Sequence, residues 1–600
     1  MIAQSGSGAA PGVLVQLGTI ARPWRASLAL VSALVILAAI VQLAPPLIVR
    51  SLVDDHLAVG RADGLFLLAV LYLAAAAGAQ GLIFGYTYLA ASVAQGVLNA
   101  LRVRLFRHLQ DLPMAYYDQS QIGDAISRCT ADVETVDTLF SSGVSALVAN
   151  LVLVVSTGVA MIVLSPPLAV VSALVLPVLL VSTRFFQVRT RNAERGNRIA
   201  VGRLNGELQE SLGGIEVIRA FGREPTFVLR FRRTLHATLL AQNRATLYSA
   251  LYVPTTVILA ALVTALLLWA GTRPSLVDWG ISVGTLTAYV LLFQRFFKPI
   301  VDAGDQWQIV QAAVAGAERI FQVLAMPAEA APASVRADPQ VDALVTVHDV
   351  VFGYLAERPV LHGVRLTVAP GEQVALVGRT GAGKTSLLHL VAGLYAPWAG
   401  TVRALGADPR SVAEDERRRL IGIVPQTVHL FSGSIFDNLT LRDTSVRQEQ
   451  VEEAARVVGL HSFIKSLPDG YATQLGGAGR GAGTQLSAGQ QQLLSLARAL
   501  VWDPRLILLD EATSTIDNAS DAAFRRALEV VVCEQGRGVL TIAHRLATAR
   551  EADRVIVLDH GQIVEEGRPA DLIRAGGRFA DMLELEASGW DWRAAATVSI

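Results

Sequence analysis

Long apolar segments alternate with polar ones over the first half of the chain, up to about residue 310. A helix that crosses a membrane needs about 20 mostly apolar residues. A soluble domain has too little interior to bury several such helices at once. The pattern therefore predicts a membrane domain with six spans, over residues 26–49, 64–90, 142–164, 168–186, 249–271 and 280–300.

The connections between the predicted spans differ in length and charge. Those after spans one, three and five are short, whereas residues 91–141 and 187–248 are long, rich in arginine and helical in their apolar spacing. Because basic loops stay on the cytoplasmic side of a membrane, we predict that both long segments and both chain termini are cytoplasmic. Each long segment is predicted to extend two helices beyond the bilayer and to end in a short cross-piece. The first apolar segment is long and predicts an uncleaved membrane helix, not a signal peptide.

Few polar side chains interrupt the predicted spans. Gln42, Gln80 and Gln294 are predicted to face the interior of the helix bundle, because lipid offers an amide no partner. Arg295 and Lys298 lie near the cytoplasmic end of the sixth span, where long basic side chains commonly reach the headgroups. The alternative interpretation is that Arg295 lines a substrate cavity and favours anionic groups.

From Val345 onward the pattern changes to short apolar runs separated by turns and helical segments, which is typical of a soluble α/β domain. The preceding segment is rich in alanine, proline and acidic residues and has no apolar period, so it predicts a linker. The sequence thus predicts an N-terminal segment, a membrane domain, a linker, a soluble domain and a C-terminal tail, over residues 1–24, 25–324, 325–343, 344–588 and 589–600.

A glycine-rich turn follows the predicted buried strand over residues 374–377. Its sequence, GRTGAGKT from Gly378 to Thr385, matches G-x-x-x-x-G-K-[ST] at every fixed position. Glycines allow main-chain N–H groups to point into one concave loop, and the helix that follows adds partial positive charge at its N-terminus. Lys384 can reach the β- and γ-phosphates of a nucleotide, and Thr385 can ligate Mg²⁺. We therefore predict a nucleotide site at this turn.

A second buried strand, over residues 506–509, ends in two carboxylates. Asp510 is placed to hold Mg²⁺, and Glu511 can polarise the attacking water. Phosphoryl transfer needs these two separate roles: the metal and a lysine neutralise charge on the phosphates, and another group orients the nucleophile. Tyr354, in a strand pattern upstream, is either an adenine-stacking residue or an ordinary strand-end tyrosine.

Three further polar residues adjoin apolar runs. Ser487 precedes the helical run QQLLSLARAL and predicts an N-cap, with an anion-binding helix start. Gln426 and His544 each follow an apolar strand, and each is either part of the same polar site or a satisfied surface residue.

Composition narrows the classes of partner. Lysine and arginine number 51 and aspartate and glutamate 51, so the net charge is zero and no nucleic-acid partner is predicted. The two cysteines, Cys129 and Cys533, are too few and too far apart for a disulfide framework or a zinc site, and we predict reduced thiols.

Together these motifs resemble those of the ATP-binding cassette (ABC) exporters, in particular half-transporters of the multidrug and lipid exporter type. The phosphate loop, Gln426, LSAGQ, LILLDE, the loop at 514–517 and His544 occur in the family's order, and the resemblance covers roughly residues 20–588. In the membrane half, PPLIVRSLVDD and GTLTAYVLLFQRFFKPI resemble the family as well. The resemblance implies an α-helical six-span transmembrane domain followed by an α/β P-loop NTPase (ABC-type nucleotide-binding) domain. It also implies a multi-pass protein of the cell membrane.

The resemblance also implies roles for individual residues. Glu511 would be the catalytic base and His544 the γ-phosphate sensor, while Gln426 would contact Mg²⁺ and sense the membrane domain. Asp517 would couple two sites, and cross-pieces near 118–130 and 211–222 would be coupling helices. The residues implied in binding ATP and Mg²⁺ are Tyr354, Gly378, Arg379, Thr380, Gly381, Ala382, Gly383, Lys384, Thr385, Ser386, Gln426, Ser487, Gly489, Gln490, Asp510 and Asp517.

The chain has one phosphate loop and one signature segment. The family closes each ATP site between two cassettes that face head to tail, with Ser487 and Gly489 on the γ-phosphate held by the opposite subunit. A second half-transporter is therefore predicted, with homodimer and heterodimer both open. Ala488, which replaces a glycine of LSGGQ while Glu511 is kept, resembles the pattern of heterodimeric relatives and bears on this choice. The segment 474–485 lacks the glutamate that often precedes the signature, which bears on the communication between cassette and coupling helix.

The predicted function is ATP-driven export or flipping of an amphipathic substrate, such as a drug, lipid or lipopeptide, by alternating access. Two alternatives on the same fold are an ATP-gated channel or regulator and an importer of a chelate or cofactor. Residues 1–20 contain no cysteine, so no N-terminal peptidase is predicted.

Overall fold

The structure is a computed structural model that describes residues 12–588, apart from residues 175, 272–280, 330–340, 477–484, 511–517, 535 and 544. The described residues form two compact units. The first contains the chain up to Gln110 and from Ile122 to Met326, and the second contains Asp111–Gln121 and the chain from Pro327 onward. The domain boundaries given above stay predictions.

Helices make up the first unit. The α-helices are α1 Val13–Ala21, α2 Arg25–Val41, α3 Ala44–Ser51, α4 Leu65–Gln110, α6 Ile122–Ser127, α7 Val133–Thr138, α8 Val144–Leu164, α9 Pro166–Ala173, α10 Leu176–Gly213, α11 Ile215–Ala220, α12 Glu224–Gly271 and α13 Val283–Leu324. A 3₁₀ turn, Arg22–Trp24, and π-helical turns, Leu52–Leu57, Arg128–Asp132 and Leu139–Gly143, connect some of them. The short helix α5, Met114–Gln119, belongs to the second unit.

Helices make up most of each predicted span where the structure describes it. In the described part of the chain, four helical stretches are long and apolar enough to cross a membrane, and they overlap predicted spans one, two, three and five: Val15–Leu57, Leu65–Gln110, Ile122–Leu164 and Glu224–Trp269. Predicted spans four and six lie within α9–α10 and α13. Their crossing, and with it the number six, stays a prediction.

The segment that follows the first predicted span is tied to the start of α13. Asp54 Oδ1 accepts a hydrogen bond from the Gly284 N–H at 2.8 Å, and the Ser282 hydroxyl donates to Asp54 Oδ2. Ser282 in turn caps α13 by accepting from the Thr285 N–H at 3.0 Å. A Cβ at position 284 would lie 2.5 Å from the Arg50 carbonyl oxygen, so only glycine permits this approach.

The two long polar segments contain helices joined by short cross-pieces, as predicted. α10 and α12 pack along each other, with Asn197 Nδ2 donating to Gln242 Oε1 at 2.6 Å, and α11 connects their ends. The first short helix, α5, begins a few residues before the predicted cross-piece at 118–130, because Pro113 occupies the N-cap position and fixes the start.

The second unit is an α/β domain with a mixed sheet. A six-stranded sheet has the order β11-β10-β3-β9-β8-β5, in which only β11 is antiparallel to its neighbour. A three-stranded antiparallel sheet, β2-β1-β4, and a two-stranded one, β6-β7, accompany it. The strands are β1 Val345–Phe352, β2 Leu361–Val368, β3 Gln373–Val377, β4 Ala399–Ala404, β5 Ile421–Val424, β6 Gly433–Ser434, β7 Gln474–Leu475, β8 Leu506–Asp510, β9 Gly538–Ile542, β10 Arg554–Asp559 and β11 Gln562–Gly567.

Helices flank these sheets: α14 Lys384–Val391, α15 Glu414–Leu420, α16 Ile435–Thr440, α17 Gln448–Val457, α18 His461–Ser466, α19 Ala488–Leu500, α20 Asn518–Glu529, α21 Leu546–Arg550, α22 Pro569–Ala575 and α23 Arg578–Ala587. The residues of β8 and β9 are all buried, as continuous apolar runs covered on both faces should be. In such a sheet, ligands bind beyond the carboxyl ends of the parallel strands. The phosphate loop, Gln426 and Asp510 all lie at that edge, after β3, after β5 and at the end of β8.

Candidate nucleotide-binding site

The phosphate loop connects β3 to α14 in a shape that requires its glycines. Gly378 has φ 150°, and a Cβ there would lie 2.1 Å from the carbonyl oxygen of Leu558 in β10. Gly383 has φ 100°, and its Cβ would lie 2.6 Å from Leu361 Cδ2. Between them the Ala382 N–H donates to the Arg379 carbonyl at 3.1 Å, which closes the loop into a turn. The backbone therefore has the concave form that the sequence predicts for holding phosphates.

Lys384, the first residue of α14, is buried within this loop. Its Nζ donates to the Gly378 carbonyl at 2.8 Å and to the Arg379 carbonyl at 2.9 Å. The ammonium group is thus held where the loop curves, together with the N-terminal end of a helix. Both features favour an anion at the same place.

Asp510 supplies a buried carboxylate next to the loop. Its side chain hydrogen-bonds with Thr385, and burial raises the pKa of the carboxyl group, an effect that the nearby His389 and Lys384 oppose. Among the described residues, Asp510 Oδ1 is buried without a hydrogen-bond partner. A carboxylate with a free oxygen beside a threonine hydroxyl is a donor set that fits Mg²⁺, which binds hard oxygen ligands.

Tyr354 places an aromatic ring beside the phosphate loop. Its hydroxyl and the Ser386 hydroxyl of α14 are hydrogen-bonded at 3.0 Å. The ring contacts Phe352 and Tyr395 edge-on, with centroids 5.1 and 5.4 Å apart, and the residue keeps 37% of its surface exposed. An exposed ring held in this way is available for stacking on a base.

The same aromatic cluster reaches the short helix α5. The Tyr395 hydroxyl donates to Asp118 Oδ2 at 2.6 Å, which together with burial raises the pKa of Tyr395. The His389 ring stacks on Tyr395 at 5.9 Å, and burial lowers the pKa of His389. The sequence does not predict this contact. The only signal was the aromatic-rich run around Tyr395, which gives no indication of a partner far away in the chain.

The signature segment begins α19 with the predicted cap. Ser487 Oγ accepts from the Gln490 N–H at 3.2 Å, and Gln490 Oε1 accepts from the Ser487 N–H at 2.9 Å. This reciprocal capping box confirms Ser487 as the N-cap. Gly489 is buried, whereas Ala488 is exposed, so its methyl group fits without a clash within this chain. α19 is tied to the end of β5, because Gln492 Nε2 donates to the Gln426 carbonyl at 3.2 Å.

The structure thus brings Tyr354, Lys384, Thr385, Ser386 and Asp510 together around one loop. Glu511, Asp517 and His544 lie outside the described residues, as does most of the altered segment before the signature, residues 477–484. The roles of all these residues stay predictions.

Comparisons with known proteins fit this arrangement. The model of the ABC transporter transmembrane region matches residues 28–300, and that of the ABC transporter nucleotide-binding region, described simply as ABC transporter, matches residues 361–514. An uncharacterized ABC transporter ATP-binding protein of Bacillus subtilis, YfiC, is 32% identical over 95% of this chain and 94% of its own length. The chain belongs to the ABC transporter family. This confirms the predicted family, with a helical membrane domain followed by an ABC nucleotide-binding domain.

Two further proteins similar to this ABC transporter are described as a transporter of fatty acids and as an exporter. A fatty acid ABC transporter ATP-binding/permease protein of Mycobacterium bovis is 32% identical, with 86% of this chain and 80% of the other covered. The solved structure of a bacterial Atm1-family ABC exporter with ATP bound has a TM-score of 0.73 at 25% identity, and 96% of this chain and 99% of the other are covered. The ABC transporter is therefore an ATP-binding, multi-pass membrane protein of the exporter type, whose ATPase activity drives transport.

Proposed function

We propose that this ABC transporter exports an amphipathic substrate from the cytoplasmic side of the cell membrane, using ATP hydrolysed with Mg²⁺. The observation that supports this most is the grouping of Lys384, Thr385 and Asp510 at the carboxyl edge of a parallel sheet, in a chain that also carries a helical membrane unit. The fatty acid transporter and a multidrug efflux protein of Mycobacterium tuberculosis, 33% identical over 46% of its length, support an amphipathic substrate.

In the proposed reaction, the loop from Gly378 to Gly383 binds the phosphates through its backbone, and Lys384 shifts from the loop carbonyls to the β- and γ-phosphates. Thr385, Gln426 and Asp510 would hold Mg²⁺, which neutralises charge on the phosphates when bound. Glu511 would orient the attacking water and His544 the γ-phosphate. Asp517 would relay the state of one site to the other.

The proposed working unit contains two half-transporters. Ser487 and Gly489 lie at the start of a helix, so the Ser487 hydroxyl and the Gly489 N–H would bind the γ-phosphate held by the other cassette, with Gln490 keeping Ser487 in place through the capping box. A homodimer would have two equal sites. In a heterodimer, Ala488 would face the ATP held by the other chain, and that site would be the weakened one. The two arrangements differ in whether this chain hydrolyses ATP alone.

Transport itself tests the proposal. Purified protein would be reconstituted in proteoliposomes with its nucleotide-binding domain outward, and uptake of a fluorescent amphiphile would be followed with and without ATP. We expect ATP-dependent accumulation that stops with a non-hydrolysable ATP analogue. Ion conductance that opens with ATP and does not follow turnover would instead indicate a channel, and ATP-dependent release of preloaded solute would indicate an importer.

Stacking on adenine can be tested at Tyr354. We expect Tyr354→Ala to raise the KM for ATP by about 10-fold, because base stacking on an aromatic ring contributes roughly 1–3 kcal/mol. Tyr354→Phe is the matched control: it keeps the ring and loses only the hydrogen bond to Ser386, so a smaller increase is expected. Equal KM values for the alanine and phenylalanine variants would show that the ring does not stack on the base.

A further inference from the structure

Arg295 is a permanently charged side chain at membrane depth. It lies about 18 Å along α13 from the first residue of that helix, at 1.5 Å per residue. The hydrocarbon core of a bilayer is about 30 Å thick, so a span that starts near residue 280 places this guanidinium inside it. A guanidinium group keeps its proton there, and placing the charge at the centre of a bilayer costs at least about 3 kcal/mol.

The partner of Arg295 in this structure is an uncharged backbone group. Its Nη1 donates to the carbonyl oxygen of Gln42, between α2 and α3. In a continuous helix this carbonyl would accept from the N–H four residues later, but that residue is Pro46, which has none. The proline break in the first predicted span thus leaves an acceptor that Arg295 uses, and the guanidinium is oriented by it without being neutralised.

The register of the two helices supports this contact. Asp54, in the segment that follows the first predicted span, binds the start of α13 at Ser282 and Gly284. Gln42 lies twelve residues before Asp54, and Arg295 lies eleven residues after Gly284. Two contacts at matching separations show that the helices run side by side over this length, so Arg295 faces the first span and is not turned away from the bundle.

No carboxylate in the predicted spans can neutralise Arg295. These spans contain three basic residues, Arg184, Arg295 and Lys298, and no aspartate or glutamate. Ionisable residues within membrane spans generally face the bundle interior or a cavity and mark a substrate pathway. Here the pathway would carry an unbalanced positive charge, which favours an anionic occupant.

Arg295 is only partly covered by its own chain, and an exposed tyrosine lies near it. The residue is half-buried, so part of its surface stays accessible beyond the contact with Gln42. Tyr72 of α4 lies within electrostatic reach of the guanidinium and is itself exposed, with a hydroxyl that can donate a second hydrogen bond. Apolar side chains dominate the helices on either side, which suits an acyl chain.

We propose that Arg295 is the headgroup site for an anionic amphiphile, whose carboxylate or phosphate pairs with the guanidinium and accepts from Tyr72. Gln42 positions Arg295 for this pairing. The inference rests on the proposed export of amphipathic substrates and narrows their class to those with a negatively charged head. A free substrate and an anionic lipid of the bilayer offer the same chemistry.

Binding of radiolabelled oleate to the full-length protein in phosphatidylcholine nanodiscs tests this site. Charge-assisted hydrogen bonds contribute enough that we expect Arg295→Gln to weaken oleate binding by about 10- to 100-fold. Arg295→Lys keeps the charge but loses the fork geometry and should weaken it less. Arg184→Gln, which removes an exposed basic residue at the end of the fourth predicted span, should bind oleate like the wild type. Oleyl alcohol, which has the same chain and no charge, should bind all variants equally.

Competition separates the two sources of the anion. If phosphatidylglycerol in the nanodisc displaces oleate from the wild type but does not displace the oleate that Arg295→Gln still binds, the site also accepts a bilayer lipid.

The proposal is overturned if a folded Arg295→Gln binds oleate with wild-type affinity, or if the substitution weakens the binding of oleate and of oleyl alcohol equally. If Arg295→Gln does not fold, the proposal is overturned when Arg295→Lys and the wild type bind oleate with the same affinity and that affinity does not fall from low to high salt. Failure of the export proposal would be seen separately, as a lack of ATP-dependent transport of charged and neutral amphiphiles alike.

Discussion

Replacement of Glu511 by glutamine is expected to lower steady-state ATP hydrolysis by about 100-fold or more, the usual contribution of a general base. Glu511 follows β8 directly after Asp510, whose carboxylate the structure places beside Thr385. The amide has the same size as the carboxylate but cannot take the proton of the attacking water. ATP binding should therefore survive while turnover is lost. ATPase activity and bound nucleotide would be measured in lipid nanodiscs.

The control for this substitution is Glu529→Gln, at an exposed glutamate at the end of α20, which should keep wild-type activity. Cooperative hydrolysis by the wild-type chain alone, silenced in Glu511→Gln, would support a homodimer with two equal sites. An inert wild-type chain that hydrolyses ATP once a second half-transporter is added would favour a heterodimer, with Ala488 in a weakened site. Full activity of Glu511→Gln would show that another residue is the base.

Gly378→Ala is expected to abolish ATP binding and to destabilise the nucleotide-binding domain by about 3–5 kcal/mol, in the range of severe core substitutions. The added Cβ would meet the Leu558 carbonyl oxygen at 2.1 Å, and that atom belongs to the backbone of a central strand. Neither a side-chain rotation nor a small shift can relieve such a contact. The phosphate loop would have to move away from β10, and the N–H groups that hold phosphates would move with it.

Gly576→Ala is the matched control for Gly378→Ala. Gly576 also has positive φ, at 65°, but nothing lies within 4 Å of its added Cβ. It therefore measures only the cost of the left-handed conformation, about 1–2 kcal/mol, and ATP binding should stay normal. Binding of a fluorescent ATP analogue and the thermal unfolding midpoint would be compared for the two variants. Wild-type ATP affinity in Gly378→Ala would contradict the requirement for glycine.

Features that depend on neighbouring residues could be predicted from the sequence. The phosphate loop, the carboxylate at the end of β8 and the Ser487 cap each follow from a short run whose residues contact one another in the chain. The helical nature of the predicted spans follows from apolar length alone. Even the misplaced start of the first cross-piece has a local cause, the proline at position 113.

Contacts between distant residues could not be predicted in this way. Tyr395 and Asp118 are 277 positions apart, and Arg295 and Gln42 are 253 positions apart. Each pair is brought together by the packing of whole helices and strands, which a single sequence does not specify. The glutamine at 42 and the arginine at 295 could each be marked as unusual in a membrane span, but not as partners.

The contact of α5 with Tyr395 means that the cassette is not a contiguous piece of the chain. A soluble fragment cloned from Pro327 onward would contain every strand of the second unit and would lack Asp111–Gln121. It would lose the Asp118 acceptor of the Tyr395 hydroxyl and the Asp111 carbonyl that accepts from the Glu329 N–H at 2.7 Å. The Tyr395 hydroxyl would then face water, so such a fragment would expose an aromatic residue that contacts α5 in the full chain. Studies of the isolated cassette would need a linked copy of this helix to reproduce the native surface.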